Sequence, residues 1–254
     1  TQVHSSHHQD VARFLATGSS LRSVERDEVG DVAGQTLLHL QCNMGSETLS
    51  WARLGAQVTG VDIADATIAR ARELARQTGL TVRFIQMDLY DLPSVLHEQF
   101  AIVFASYGAL FWLADLTRWA QIVARYVRPG GIFYMVEMHP FPNMLAQAED
   151  DPSGMMLHVS QPYMHTDDPL QVRTGQQEAP IRTWNYGLGE VLTALSAAGL
   201  QIEYLHEFPY QHYQQFPALV RGDDGWWRWP TPANTLPLLF SVRARRPTTQ
   251  ETNP

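Results

Sequence analysis

The chain has 254 residues and a formal net charge of −8, and arginine supplies all of its fixed positive charge because no lysine occurs. An acidic balance of that size excludes the basic stripe that a nucleic-acid partner requires. Hydrophobic residues at 44% and charged residues at 17% exclude a disordered chain and suffice for one α/β core, with or without an inserted cap.

Residues 1–35 lack a strand pattern, and DVARFLATGSSLRSVERDEVG within them suggests one or two short helices forming an N-terminal segment or lid. A regular rhythm then begins. TLLHLQ (36–41) reads as a short apolar strand, and SETLSWARLG (46–55) as a helix ended by Gly55. AQVTGVDI (56–63) is a second strand. ADATIARARELARQTGL (64–80) is an amphipathic helix with Ile68, Ala71, Leu74 and Ala75 on one face, and Gly79 ends it. TVRFIQMD (81–88) and FAIVFASY (100–107) are the third and fourth strands. LTRWAQIVARYVRPGG (116–131) is expected to be helical up to Pro129 and Gly130, with GIFYMVEMHP (131–140) as the fifth strand.

Residues 141–183 break the rhythm and are expected to form an inserted cap, with a hairpin at MLHVSQPYMH (156–165). GLGEVLTALSAAGL (187–200) returns as a helix. Residues 184–254 then complete the sheet through QIEYLHEFPY and LPLLFSVRARRP, two strands separated by a loop containing GWWRWP. Strands alternating with helices at this spacing imply a mostly parallel sheet covered on both faces. The short β–loop–β ending implies an antiparallel final strand. The expected fold is therefore a Rossmann-like, seven-stranded α/β sandwich with residues 36–140 as its cofactor-binding core.

The turn after the first strand, QCNMG, keeps only Gly45 where a diphosphate-binding loop spends several glycines. That weakens a nicotinamide-dinucleotide reading and favours a nucleoside without a diphosphate. Asp62, ending the second strand, stands where a ribose-binding carboxylate is expected, although it could equally cap the helix that follows. His139 ends the fifth strand at the edge where such sheets place ligands, and could act as a general base or simply form a His-Pro turn. Glu137 could bind an acceptor or pair with an arginine. Tyr107, Phe111, Trp112, Tyr163, Trp184 and Tyr186 supply aromatic faces, which hold a sulfonium cation at roughly 0.5–2 kcal/mol per contact or else pack the core. His158 and His165 lie in the insertion, where they could face an acceptor. No spacing of histidines, cysteines and acids suggests a metal site.

LHLQCNMGSETLSWARLGA (38–56) resembles the first motif of a branch of the class I S-adenosylmethionine-dependent methyltransferases. The resemblance covers about residues 28–140 closely, and the tail more loosely through TWNYGLGEVLTAL, LHEFPY and PLLFSVRARRP. It implies that Gln41, Cys42 and Gly45 line the methionine and ribose portion of S-adenosylmethionine. Asp62 would hold the ribose hydroxyls and Ile63 would pack on the adenine. Asp88 would contact the adenine amine, helped by Leu89, and Ser106 and Tyr107 would sit beside the sulfonium. Many members of the class carry an acid where this chain has His39, and further glycines where it has Gln41 and Asn43.

The implied reaction is methyl transfer to a small-molecule acceptor, with Tyr107 and His139 as catalytic candidates, and with no nucleic acid or membrane partner. One rival keeps the cofactor but folds its aminobutyrate arm back on the sulfonium, as a lyase or cyclase releasing methylthioadenosine. Another is a non-catalytic nucleoside-binding subunit. A homo-oligomer is compatible with the sequence. The single cysteine, Cys42, and the lack of an apolar signal core in TQVHSSHHQD lead to the expectation of a reducing, cytoplasmic setting.

Overall fold

A computed structural model of the chain describes residues 2–148, 151, 156–164, 169–172, 181–230 and 235–248. Two helices open it, α1 (Gln2–Thr17) and α2 (Ser23–Val29). The strand–helix alternation follows: β1 (Thr36–Leu40), α3 (Ser46–Arg53), β2 (Gln57–Asp62), α4 (Asp65–Thr78), β3 (Arg83–Gln86), β4 (Phe100–Ser106), α5 (Leu116–Tyr126) and β5 (Val127–Met138). A one-turn helix, α6 (Pro140–Asn143), leads into the insertion. Its described strands are β6 (Leu145–Gln147), β7 (Leu157–Val159), β8 (Leu170–Val172) and β9 (Ile181–Thr183). The chain then runs through α7 (Leu188–Ala197), β10 (Gln201–Phe208), β11 (Tyr210–Gln211), β12 (Val220–Arg221), β13 (Trp227–Arg228) and β14 (Leu239–Arg245).

The main sheet has seven strands in the order β10-β14-β5-β4-β1-β2-β3. Only β14 runs against its neighbours, pairing antiparallel with both β5 and β10. Successive residues of β1 feed opposite faces, as strand geometry requires. Leu37 joins the core beneath α2 and α3 with Trp51, Phe104 and Tyr134. Leu38 and Leu40 join the core beneath α5 and α7 with Trp119, Val123, Val191 and Leu195. A third cluster packs Val11 and Phe14 of α1 against Leu49 of α3 and Ile68, Ala71 and Leu74 of α4. The face of α4 expected from its periodicity is the buried one.

Three local expectations change. Helix α5 stops at Tyr126, and Pro129 and Gly130 lie inside the start of β5. Proline biases the residue before it toward extended backbone, so the segment that the sequence assigned to a helix end opens as strand instead. The ladder with β4 shifts register between Phe100 and Ile102 to accommodate it. After α6, Leu157–Val159 pairs antiparallel with Leu145–Gln147 and not within 156–164, where the expected hairpin would lie. His165 lies outside the described residues. The loop between the last two sheet strands also carries structure: β11, β13 and β12 form a small antiparallel sheet, with Trp226 buried against Tyr210 and Trp229 stacked on Phe216. No helix among the described residues is long and apolar enough to cross a membrane.

Candidate functional site

Strand order reverses between β1 and β4: the chain steps outward from β1 to β2 and β3 on one side, and through β4 to β5 on the other. Loops leaving the carboxyl ends of such a pair diverge and open a crevice for a ligand. The first loop is tightly wound. Gln41 (φ 53°), Asn43 (φ 47°) and Gly45 (φ 75°) all adopt positive φ. For the two non-glycine residues this conformation costs about 1–3 kcal/mol each and persists only where the surroundings enforce it. Asp62 supplies one of the restraints, at Asn43. Its Oδ2 accepts the Asn43 N–H at 2.9 Å, and its Oδ1 accepts the Ala64 N–H at 2.9 Å and the Thr67 hydroxyl at 3.3 Å. One carboxylate therefore fixes both the loop after β1 and the start of α4, combining the two roles that the sequence leaves open. Beside it, Ile63 is 61% exposed, an apolar side chain held out at the crevice.

Other candidates fall in different places. The Cys42 thiol faces the core of α3, α4 and Phe84, and burial together with Asp62 pushes its pKa well above the ordinary thiol range. Its part in the loop is its backbone, whose N–H donates to the Val61 carbonyl at 2.8 Å. Gly45 precedes α3 in the left-handed region. A Cβ there would lie 2.8 Å from the Ala71 Cβ and 2.9 Å from Phe84 Cζ, so the missing side chain makes room for helix packing. Leu89 is buried in the core shared with α5, while Asp88 closes its own turn by accepting the Tyr90 N–H at 2.8 Å.

At the end of β4, Ser106 donates to Glu47 Oε2 at 2.5 Å and lies 3.4 Å from His39 Nε2. His39 reaches the Thr48 hydroxyl at 2.8 Å, and burial lowers its pKa to about 3, so it is neutral. Tyr107 takes φ 41° and donates its hydroxyl to Glu25 Oε2 at 2.8 Å. Burial and then Glu25 hold that phenol well above its usual range. The hydroxyl thus straps the β4 loop to α2 and is not poised to take a proton. His139 is likewise engaged at both nitrogens: Nδ1 accepts the Phe141 N–H at 3.0 Å, capping α6, and Nε2 faces Glu207 at 2.9 Å. Desolvation lowers its pKa against the opposing pull of Glu207.

Among the described residues Glu137 pairs with no arginine. It is 1% exposed and accepts backbone N–H groups from Gly108 at 2.5 Å, Met138 at 2.7 Å and Leu110 at 3.2 Å. Burial raises its pKa to about 7 against those bonds. The loop it clamps also offers the Ala109 carbonyl to Gln41 Nε2 at 2.8 Å, which joins the two sides of the crevice.

Sequence reading missed a buried polar cluster over this crevice. Arg22 pairs with Asp10 at 3.0 Å and lies over the rings of Tyr107 and Trp226 at 5.5 and 5.8 Å. Glu25 Oε1 accepts the Arg22 N–H at 2.6 Å. Gln41 Oε1 and Arg22 Nε are two of the eight buried side-chain polar atoms that have no hydrogen-bond partner among the described residues, an acceptor and a donor on this crevice. Together with the Asp62 carboxylate and the exposed Ile63, this donor set fits a nucleoside carrying an amino acid.

A seven-stranded sheet of this order with such a crevice at its switch point defines the Rossmann-like fold of S-adenosylmethionine-dependent methyltransferases. Residues 38–135 match the family described as "Methyltransferase domain". The ubiquinone biosynthesis O-methyltransferase of Pseudomonas syringae pv. tomato is 31% identical over 105 residues, 41% of this chain and 45% of that one. An S-adenosyl-L-methionine-dependent Diels-Alderase of Talaromyces variabilis is 31% identical over 140 residues, 52% of this chain and 47% of that one. The chain thus spans about half the length of the curated relatives it matches. An S-adenosylmethionine-dependent methyltransferase structure from Mesorhizobium loti shares the fold with a TM-score of 0.64 at 22% identity, covering 88% of this chain and 96% of that one.

Proposed function

We propose that the protein binds S-adenosylmethionine in the β1/β4 crevice and transfers its methyl group to a small-molecule acceptor. The observation that carries this reading is Asp62, which pins a strained turn that lacks the glycines of a diphosphate loop and leaves Oδ2 with a single N–H partner. A carboxylate with a free lone pair beside an exposed apolar side chain suits a ribose diol with its base. In this reading Asp62 binds the diol, Ile63 covers the adenine, and Arg22, Gln41 and Glu47 receive the amino-acid arm.

When bound, the cofactor supplies an electrophilic methyl on a sulfonium. The chain's own residues position and desolvate. Glu137 holds the 107–110 loop, Tyr107 ties that loop to α2, and His139 fixes the turn into the insertion. Tyr107 and His139, the catalytic candidates of the sequence, are proposed as positioning residues because their polar atoms are already engaged. Rate then rests mainly on proximity and exclusion of water. The acceptor side offers neutral amides, with Gln211 reaching Gln215 at 3.0 Å and Gln215 reaching Asn143 at 3.3 Å, which favours an uncharged acceptor. A cytoplasmic setting belongs to the same proposal and rests on the single cysteine.

The test is equilibrium binding of S-adenosylmethionine, followed by mass spectrometry of the nucleoside formed with and without a panel of phenolic and other small acceptors. The expected result is binding, with S-adenosylhomocysteine formed only when an acceptor is present. Methylthioadenosine above the spontaneous-decay control in the absence of any acceptor would replace this reading with lyase or cyclase chemistry. Binding of neither cofactor nor product would remove the site assignment altogether.

A further inference from the structure

The polar cluster over the crevice is short of positive charge. It holds three carboxyl groups, Asp10 on α1, Glu25 on α2 and Glu47 on α3, against the guanidiniums of Arg22 and Arg13. His39 of β1 adds no charge, and Tyr107 after β4 is a neutral phenol. Asp10 is paired with Arg22, and Glu25 has both oxygens occupied by the Arg22 N–H and the Tyr107 hydroxyl. Glu47 is left with a neutral partner, the Ser106 hydroxyl, and with the neutral His39 ring 4.0 Å away. It stands in the first turn of α3, directly after the strained loop, and its Oε2 reaches across to the end of β4. On the same loop the Gln41 Oε1 is buried with no donor.

We infer that the Glu47 carboxylate, together with Gln41 Oε1 on the preceding loop, is the counter-charge for the ammonium group of the cofactor's amino-acid arm. This rests on the reading of the crevice as an S-adenosylmethionine site and adds to it a named contact and a linked proton. In the free protein burial, then Glu25 and Asp10, push the Glu47 pKa up to about 8, against Ser106 and Arg22. An arriving ammonium favours the ionised form, so binding near neutral pH expels the Glu47 proton. Affinity therefore gains from rising pH up to about 8 through this group. The cofactor's own amino group titrates identically whichever protein variant is present.

The experiment is isothermal titration of S-adenosylmethionine and of S-adenosylhomocysteine into the full chain and its Glu47→Gln variant at pH 6 and pH 8. The two ligands share the ammonium, and only the first carries the sulfonium. At pH 8 the variant is expected to lose about tenfold or more in affinity for both ligands equally. At pH 6, where the wild-type group is itself protonated, the gap is expected to close to within about threefold. Glu47→Asp should restore most of the pH dependence. Ser106→Ala removes the hydroxyl that favours the ionised carboxylate and should move the rise in affinity to higher pH.

Loss confined to S-adenosylmethionine would mean that Glu47 faces the sulfonium, and it would overturn the assignment. A loss of equal size at both pH values would reveal a structural role, and no loss at either would remove Glu47 from the site. A wild-type protein that binds neither ligand would instead overturn the crevice reading on which the inference rests.

Discussion

The two flanks of the crevice are built differently. On the β1–β2 flank, one carboxylate, Asp62, fixes a backbone that would otherwise not hold its shape, and the ligand-facing groups are ionic or apolar. On the β5 flank, past Glu137, His139 faces Glu207 and a run of neutral amides follows: Asn143, Asn185, Gln211 and Gln215 bond one another at 3.0–3.4 Å. Charge-assisted bonds are short, directional and costly to break, whereas amide chains rearrange at little cost. In the proposed function, the contrast is that of a pre-organised cofactor cradle facing an adaptable wall for the acceptor.

The largest effect that would break this contrast is in Asp62→Ala. Losing a charged acceptor for two loop N–H groups and the diol should weaken S-adenosylmethionine binding by at least about 100-fold, at ~1.5–3 kcal/mol per charge-assisted bond. Calorimetry showing wild-type affinity would remove Asp62 from the cradle. Next comes Gly45→Ala, which combines a positive φ with a Cβ 2.8 Å from Ala71. A cost of about 2–3 kcal/mol is expected, read as a drop of roughly 5–10 °C in Tm. An unchanged Tm would mean that the loop is more pliable than its dihedral angles imply.

Glu137→Gln sharpens the comparison from the other flank. The folded-state pKa of Glu137 lies near 7, above its ordinary value of 4.5. The folded protein therefore holds this proton where the unfolded chain has lost it, and the group's contribution to stability declines as pH rises through that window. The variant lacks that decline. The stability difference between the two should thus move in the variant's favour by about 1–3 kcal/mol between pH 5 and pH 8, in urea midpoints. A pH-independent difference would mean that Glu137 is ionised throughout. The smallest effect is expected for Ile63→Ala. Removing an exposed side chain leaves Tm unchanged but costs about 1 kcal/mol of adenine contact, a several-fold loss of affinity.

What the sequence made legible was whatever depends on local periodicity. The amphipathic stripe of α4, the apolar strands and Asp62 at the end of β2 all follow from neighbours within a few residues. The Pro129–Gly130 pair misled because proline can open a strand as readily as it closes a helix. Cys42 was read from its place in a motif, but in the wound loop after β1 its thiol packs in the core. Ser106 and Tyr107 were legible through the family resemblance and Arg22 meets Glu25 three residues on, but the contacts that join them with Glu47 into one cluster left no local trace. Its bonds span 59 residues between Glu47 and Ser106 and 82 between Glu25 and Tyr107, and only the folded sheet brings them together.

The one reversed strand has a consequence for how the molecule is made. Residues 239–245 sit between β5 and β10, so each of those strands keeps a bare edge until the last of the seven has been synthesised. Every earlier nascent length that includes β5 presents it as an open template on which another chain could pair. Closing the gap requires contacts across more than 100 residues of sequence, a slow event by its topology. A ribosome that stops short of Leu239 releases a protein with an exposed β5 edge, a product for quality control to remove.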